Sequence, residues 1–201
     1  MEHLNIEKLI EIVGFLIKKY ENKINYTKLI KEIYLADRLA LLETGYSISG
    51  DNYCSMHCGP VLSALYDLIM QKCPNHSYQT LWNTRFTRDN YDLHLVCSFI
   101  SENELSTYEI EILEKIDNEF HDKDYRYLIE YTHTHCPEWI DTDSSIPIEQ
   151  NELLRKLGFS DQQIKENCED KSFFSEEKTL IDSLPDSLPE NYQKFGVRCC
   201  G

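Results

Sequence analysis

The stretch Tyr26–Leu42, YTKLIKEIYLADRLALL, decides how the rest of the chain is read. Ile30, Ile33, Tyr34, Asp37 and Leu41 recur at helical spacing and so share one face. Four of them are large and apolar or aromatic. The fifth, Asp37, puts a carboxylate inside the stripe. An unpaired buried charge costs too much to keep, so Asp37 is expected either to be buried with partners or to sit at the edge of a cleft.

Before this helix, Asn5–Tyr20 reads as another, with Leu9, Ile12, Val13, Leu16 and Ile17 on one side and Lys18 and Lys19 in the last turn, where the helix dipole favours cations. Glu21–Asn25 reads as a polar connection, Thr27 as the N-cap of the central helix, and Gly45 as its left-handed stop. Tyr46–His57 is rich in turn formers and predicts a loop or short hairpin. Gly59-Pro60 is expected to open a third helix, proline being tolerated at the first helical position, with Cys73–His76 closing it.

The period then changes. Alternation at Trp82, Thr84 and Phe86, and again at Leu93, Leu95 and Cys97, predicts an antiparallel pair around Asp89-Asn90. Ser106 with Glu109 is a capping box, and Ile110, Leu113, Ile116 and Phe120 form the buried side of the helix it starts. A helix over Asp124–Thr134 is expected to turn Tyr127, Leu128 and Tyr131 inward and to end at Cys136–Trp139. Short helices are expected at Pro147–Leu157 and Ser160–Asn167, joined at Gly158, and a further one at Ser175–Leu184. The fold class is therefore mainly α (α+β): a single helical domain with a small antiparallel β hairpin over 1–142, then an acidic helical extension and tail over 143–201.

Composition narrows the function classes. The chain is 41% hydrophobic and 27% charged, as ordinary globular proteins are, and its longest apolar runs, such as Ile12–Ile17, are far too short to span a bilayer. The amino terminus, MEHLNIEKL, lacks the pattern of a secretion signal, so a cytoplasmic protein with no membrane partner is expected and its eight cysteines are read as thiols. Of the net charge of −15, residues 1–100 supply −1 and residues 101–201 supply −14. Such a half repels phosphate backbones, which argues against direct nucleic-acid binding, and attracts a basic partner.

Three groups of residues invite a chemical reading. Asp37 and His133 together suggest a charge-assisted pair, preferred as a lock between helices over an acid–base couple. Gly59-Pro60-Val61, at a helix start, would offer free N–H groups to an anion, though a plain helix start is the preferred reading. Cys54, His57 and Cys58 form one cluster, His133, His135 and Cys136 a second, and His94 with Cys97 a third. Zinc accepts these ligand types, but no C-x₂-C pair is present and no standard spacing is met, so neither a metal nor any other cofactor is expected. No nucleophile elbow, phosphate loop or dinucleotide fingerprint points to an enzyme.

Tyr34-Leu35-Ala36-Asp37, Gly59-Pro60-Val61, Tyr66-Asp67, and Thr132-His133 with Trp139 follow one another in this order. The ordered set resembles the Panacea or SocA-like antitoxin domain, over roughly residues 8–142. The resemblance implies a mostly helical domain with a small β element and an antitoxin, in bacteria or prophages, that neutralises a cognate protein toxin by binding it. It marks Tyr34, Asp37, Gly59, Pro60, Val61, Tyr66, His133 and Trp139 as scaffold or interaction residues. An adaptor that delivers the toxin to a protease, and a metal-assisted hydrolase using the Cys/His clusters, are the alternatives. A toxin acting on RNA would present a basic surface to the acidic half.

Overall fold

The computed structural model describes residues 4–97 and 103–169. These fall into two compact units divided after Ser160, and the second is helical over 161–169. The expected helix at Ser175–Leu184 lies outside the described residues.

The first unit is built around one helix. Helix α1 (Ile6–Lys19) leads through strand β1 (Lys23–Asn25) into α2 (Tyr26–Thr44). Every position of α2 from Lys28 to Asp37 is buried. A helix enclosed on all sides is a core element rather than a surface one, and α2 packs against α1, α5 (Thr107–Phe120), α6 (Tyr125–His135) and strand β3 (Gly59–Leu62). Ile30, Ile33, Tyr34, Asp37 and Leu41 are all at most 2% exposed.

That enclosure forces polar residues of α2 to find partners inside. Glu32 accepts from the Tyr20 hydroxyl at 2.8 Å and lies 3.7 Å from Lys28. Lys28 donates to the His121 carbonyl at 2.5 Å. Burial pushes the Glu32 carboxyl up to about 7.

The connections differ from several expectations. Glu21 and Asn22 both take positive φ, which turns the chain so that 23–25 pairs as a strand rather than running on as a loose connection. The cap of α2 is Asn25, whose side chain accepts from the N–H groups of Thr27 and Lys28; Thr27 is already inside the helix. Gly45 ends α2 at φ 80, as expected.

Gly59-Pro60 opens no helix. It begins β3, which pairs antiparallel with β2 (Tyr53–Met56), and α3 starts only at Ser63 and runs to Ile69. Gly59 sits at φ 96, outside helical backbone, and Pro60 lies on an edge strand, where the ladder bond it lacks is not needed. α3 has no cap of its own; Asp51 reaches in and accepts from the N–H groups of Ala64 and Leu65 at 3.0 and 2.9 Å.

Asn75 caps a further helix, α4 (His76–Asn83), which takes Leu81 and Trp82 out of the expected strand. The pair that follows, β4 (Phe86–Asp89) and β5 (Asp92–Leu95), is present, and β1 completes it in the order β1-β5-β4. Trp82 and Phe86 still meet, with centroids 4.5 Å apart, across the helix–strand junction.

The Ser106–Glu109 capping box starts α5, and Asp124 caps α6. α6 buries Leu128 and Thr132 but leaves Tyr127 44% exposed, so that tyrosine does not face inward. Residues 146–148 are strand β6, which adds to β2 in the order β3-β2-β6, and the helix expected there is confined to α7 (Gln150–Lys156). Among the described residues the result is a mainly helical α+β fold with two small three-stranded antiparallel sheets.

Candidate functional site

Asp37 is fully buried near the middle of α2. Its carboxylate accepts from the N–H groups of Ile48 and Ser49, each at 2.9 Å, from the Ser49 hydroxyl, and from the Tyr53 hydroxyl at 3.1 Å. It therefore ties the loop after α2 and the start of β2 to the central helix. Burial pushes the carboxyl up to about 6, and these donors oppose that rise. The expected pairing with His133 is not made, because the loop's own donors fill the carboxylate.

His133 belongs to a different contact. Its ring stacks on Trp139 with centroids 3.8 Å apart and planes 6° from parallel. Burial, and then the nearby Lys31, hold the imidazole below its usual range. Trp139 donates its indole N–H to the Met56 carbonyl at 2.8 Å, and the Ile140 N–H donates to the Ser55 hydroxyl at 3.1 Å. The segment leaving α6 is thereby bound to the β2–β3 hairpin.

Beneath that hairpin lies Lys31, 1% exposed, with its amine donating to the Pro60 carbonyl at 2.6 Å. A Cβ built on Gly59 would lie 2.8 Å from Thr132 Oγ1 and 2.9 Å from Lys31 Nζ. Gly59 is thus required twice, by its φ and by the space beneath it. Burial pushes the Lys31 amine down to about 7.

The sign of the resulting pH dependence follows directly. Between about 7 and 10.5 the unfolded chain holds a proton on Lys31 that the fold does not, so this residue makes stability rise with pH there. The expected slope approaches ~1.4 kcal/mol per pH unit for one proton of difference. Melting curves of the wild type and Lys31→Met from pH 7 to 9.5 should diverge upward for the wild type; parallel curves would mean that the amine stays charged when folded.

Further along the same side of α2, Glu138 is buried and accepts from the Tyr34 hydroxyl at 2.6 Å and from Arg38 Nε at 2.8 Å. A cleft of about 190 Å³ opens beside the hairpin, lined among others by Tyr26, Ile30, Lys31, Cys58, Val61 and Tyr66. Tyr66 and Val61 therefore meet at one cleft, whereas Tyr34 and Asp37 are sealed in the core.

The Cys/His clusters, contiguous in sequence, are dispersed in environment. Cys54 and Cys136 are buried, and burial raises both thiols, Cys136 to about 12, away from the thiolate form. Cys58 is exposed, His57 lies 3.5 Å from Asp141 at the surface, and His135 stacks on Tyr131. Among the described residues, no group of three or more His, Cys, Asp or Glu side chains is placed to hold a metal ion.

A family model described as an antitoxin SocA-like, Panacea domain matches residues 29–140, more than half of the chain. The chain belongs to the Panacea domain family. Compared with curated proteins and with solved structures, it matches none. The matched segment of this Panacea domain runs from α2 through the α6 exit and contains Tyr34, Asp37, Gly59, Pro60, Val61, Tyr66, His133 and Trp139.

Lys31, Ser49, Tyr53 and Glu138 hold the same assembly together and escape a reading of the sequence as site residues, and Thr132, named there only within the family resemblance, joins them. Lys31 has one trace in the sequence: it lies three residues before Tyr34 and so on that residue's side of α2. No helix among the described residues is long and apolar enough to cross a membrane.

Proposed function

We propose that this Panacea domain is a cytoplasmic antitoxin that neutralises a cognate protein toxin by direct contact, without chemistry of its own. The match to an antitoxin-like domain over residues 29–140 carries this reading. The polar residues at its centre support it. Asp37 is saturated by four donors, and Lys31 and Glu138 hold backbone and side chains in place, which is the work of a scaffold.

The partner surface is basic, complementing the net charge of −14 on residues 101–201. Co-expression tests the function: the neighbouring open reading frame should be toxic alone and harmless with this chain. Charge steering has its own check. The association rate with that toxin should fall about tenfold between ~50 and ~300 mM salt, and a flat rate would remove the steering role.

A further inference from the structure

The outer face of α6 carries a row of aromatic rings. Tyr127, Tyr131 and His135 recur every fourth residue, and their rings form one continuous stack. Tyr127 and Tyr131 lie 6.2 Å apart at 27°, and Tyr131 and His135 lie 4.2 Å apart at 17°. Phe120, at the end of α5, closes the base of the stack edge-on to Tyr131 at 4.9 Å. The helix is anchored by Leu128 and Thr132 instead. Tyr127 and His135 remain exposed, and Tyr131 is half-buried.

Charge around this ladder is one-sided. From Asp117 to His135 the chain has five carboxylates against Lys123 and Arg126; Asp117 is buried beside His121, and the other four, Glu119, Asp122, Asp124 and Glu130, are exposed. Glu119 on α5 and Arg38 on α2 both act on Tyr131, with opposite sign, and Glu130 is exposed next to it in the chain. The cations nearby are already engaged: Arg38 is tied to Glu138 at 2.8 Å, Lys123 Nζ lies 5.2 Å over Tyr127, and the Arg126 guanidinium lies 5.4 Å over Tyr125. Aromatic faces flanked by carboxylates suit a planar cation that stacks and donates in a fork, which a guanidinium does and an ammonium does not.

We propose that the Tyr127–Tyr131–His135 ladder is the surface that receives arginine side chains of the toxin. The proposal rests on the antitoxin reading for the identity of the partner, while the ladder's preference for arginine can be measured without it. Exposed tyrosines supply broad contact at little cost in rotamer freedom, which makes them frequent anchors at interfaces. The surrounding carboxylates repel phosphate backbones, so the stacked rings are no platform for nucleic acid.

The test uses the full chain and two fluorescent probes, a hexa-arginine and a hexa-lysine peptide of equal charge. The arginine peptide should bind about tenfold tighter than the lysine peptide. Tyr127→Ser combined with Glu130→Gln, both at exposed positions, should erase that difference at an unchanged melting temperature. Glu152→Gln on α7, the same charge change elsewhere, should leave it intact.

Equal binding of the two peptides, or equal losses in the α6 and α7 variants, would overturn the proposal. So would a dimer of the wild type that Tyr127→Ser dissolves, since the ladder would then serve a second copy. In the co-expression assay, full neutralisation by the α6 variant would remove this surface and leave the antitoxin role standing. Failure of the wild type itself would remove the antitoxin role, with the peptide result still deciding the ladder.

Discussion

Asp37→Ala is expected to lower the stability of the domain by about 3–5 kcal/mol, the scale of deleting one partner of a buried, fully bonded charge. The loss has identifiable sources. Two backbone N–H groups, at Ile48 and Ser49, and two hydroxyls, of Ser49 and Tyr53, would face a space with no acceptor. Water would reach them only if the loop came away from α2. Asp37→Asn keeps the shape but replaces one acceptor oxygen with a donor, so it should fall between alanine and the wild type. Denaturant unfolding measures both variants. An alanine variant that unfolds like the wild type but no longer neutralises a toxin would move Asp37 from the scaffold to the interface.

Gly59→Ala should cost about 2–5 kcal/mol, adding a strained positive φ to an overpacked contact. The two atoms in the way are not free to retreat. Thr132 Oγ1 donates to the Leu128 and Ile129 carbonyls at 2.9 and 3.0 Å, and Lys31 Nζ holds the Pro60 carbonyl at 2.6 Å. The new methyl group would have to break one of these arrangements or lift the hairpin off α2. A measured loss below ~1 kcal/mol would show that the backbone at 59 relaxes without consequence.

What the sequence made legible was periodic or locally punctuated. The stripe of α2, the left-handed Gly45 and the Ser106–Glu109 capping box depend on residues within a turn or two of each other, and the structure contains all three. Asp37 stood out as an acid in an apolar stripe, and its burial with partners followed from cost alone. The identity of those partners did not, because Ile48 and Ser49 contribute backbone N–H groups, which every residue has.

Gly59-Pro60 shows the limit from the other direction. The same dipeptide suits a helix start and an edge strand, and what holds the strand is distant or non-periodic: pairing with β2 and the buried amine beneath it, bonded to the Pro60 carbonyl from 29 positions earlier. Trp82 and Phe86 fit one alternating run in the sequence. They are instead neighbours across a junction whose helix is set by the Asn75 cap. The sequence reading turns Tyr127 inward with Leu128 and Tyr131, yet the residues α6 buries are Leu128 and Thr132.

Strand β6, at Ile146–Ile148, lies past the end of the matched segment at residue 140, yet it supplies the outer margin of the sheet that holds Gly59 and Pro60. The recognisable unit of descent and the mechanically complete unit are therefore not the same length. Grafted elsewhere as 29–140 alone, the cassette would carry a raw seam along β2, with unmet backbone donors and acceptors inviting strand exchange between copies.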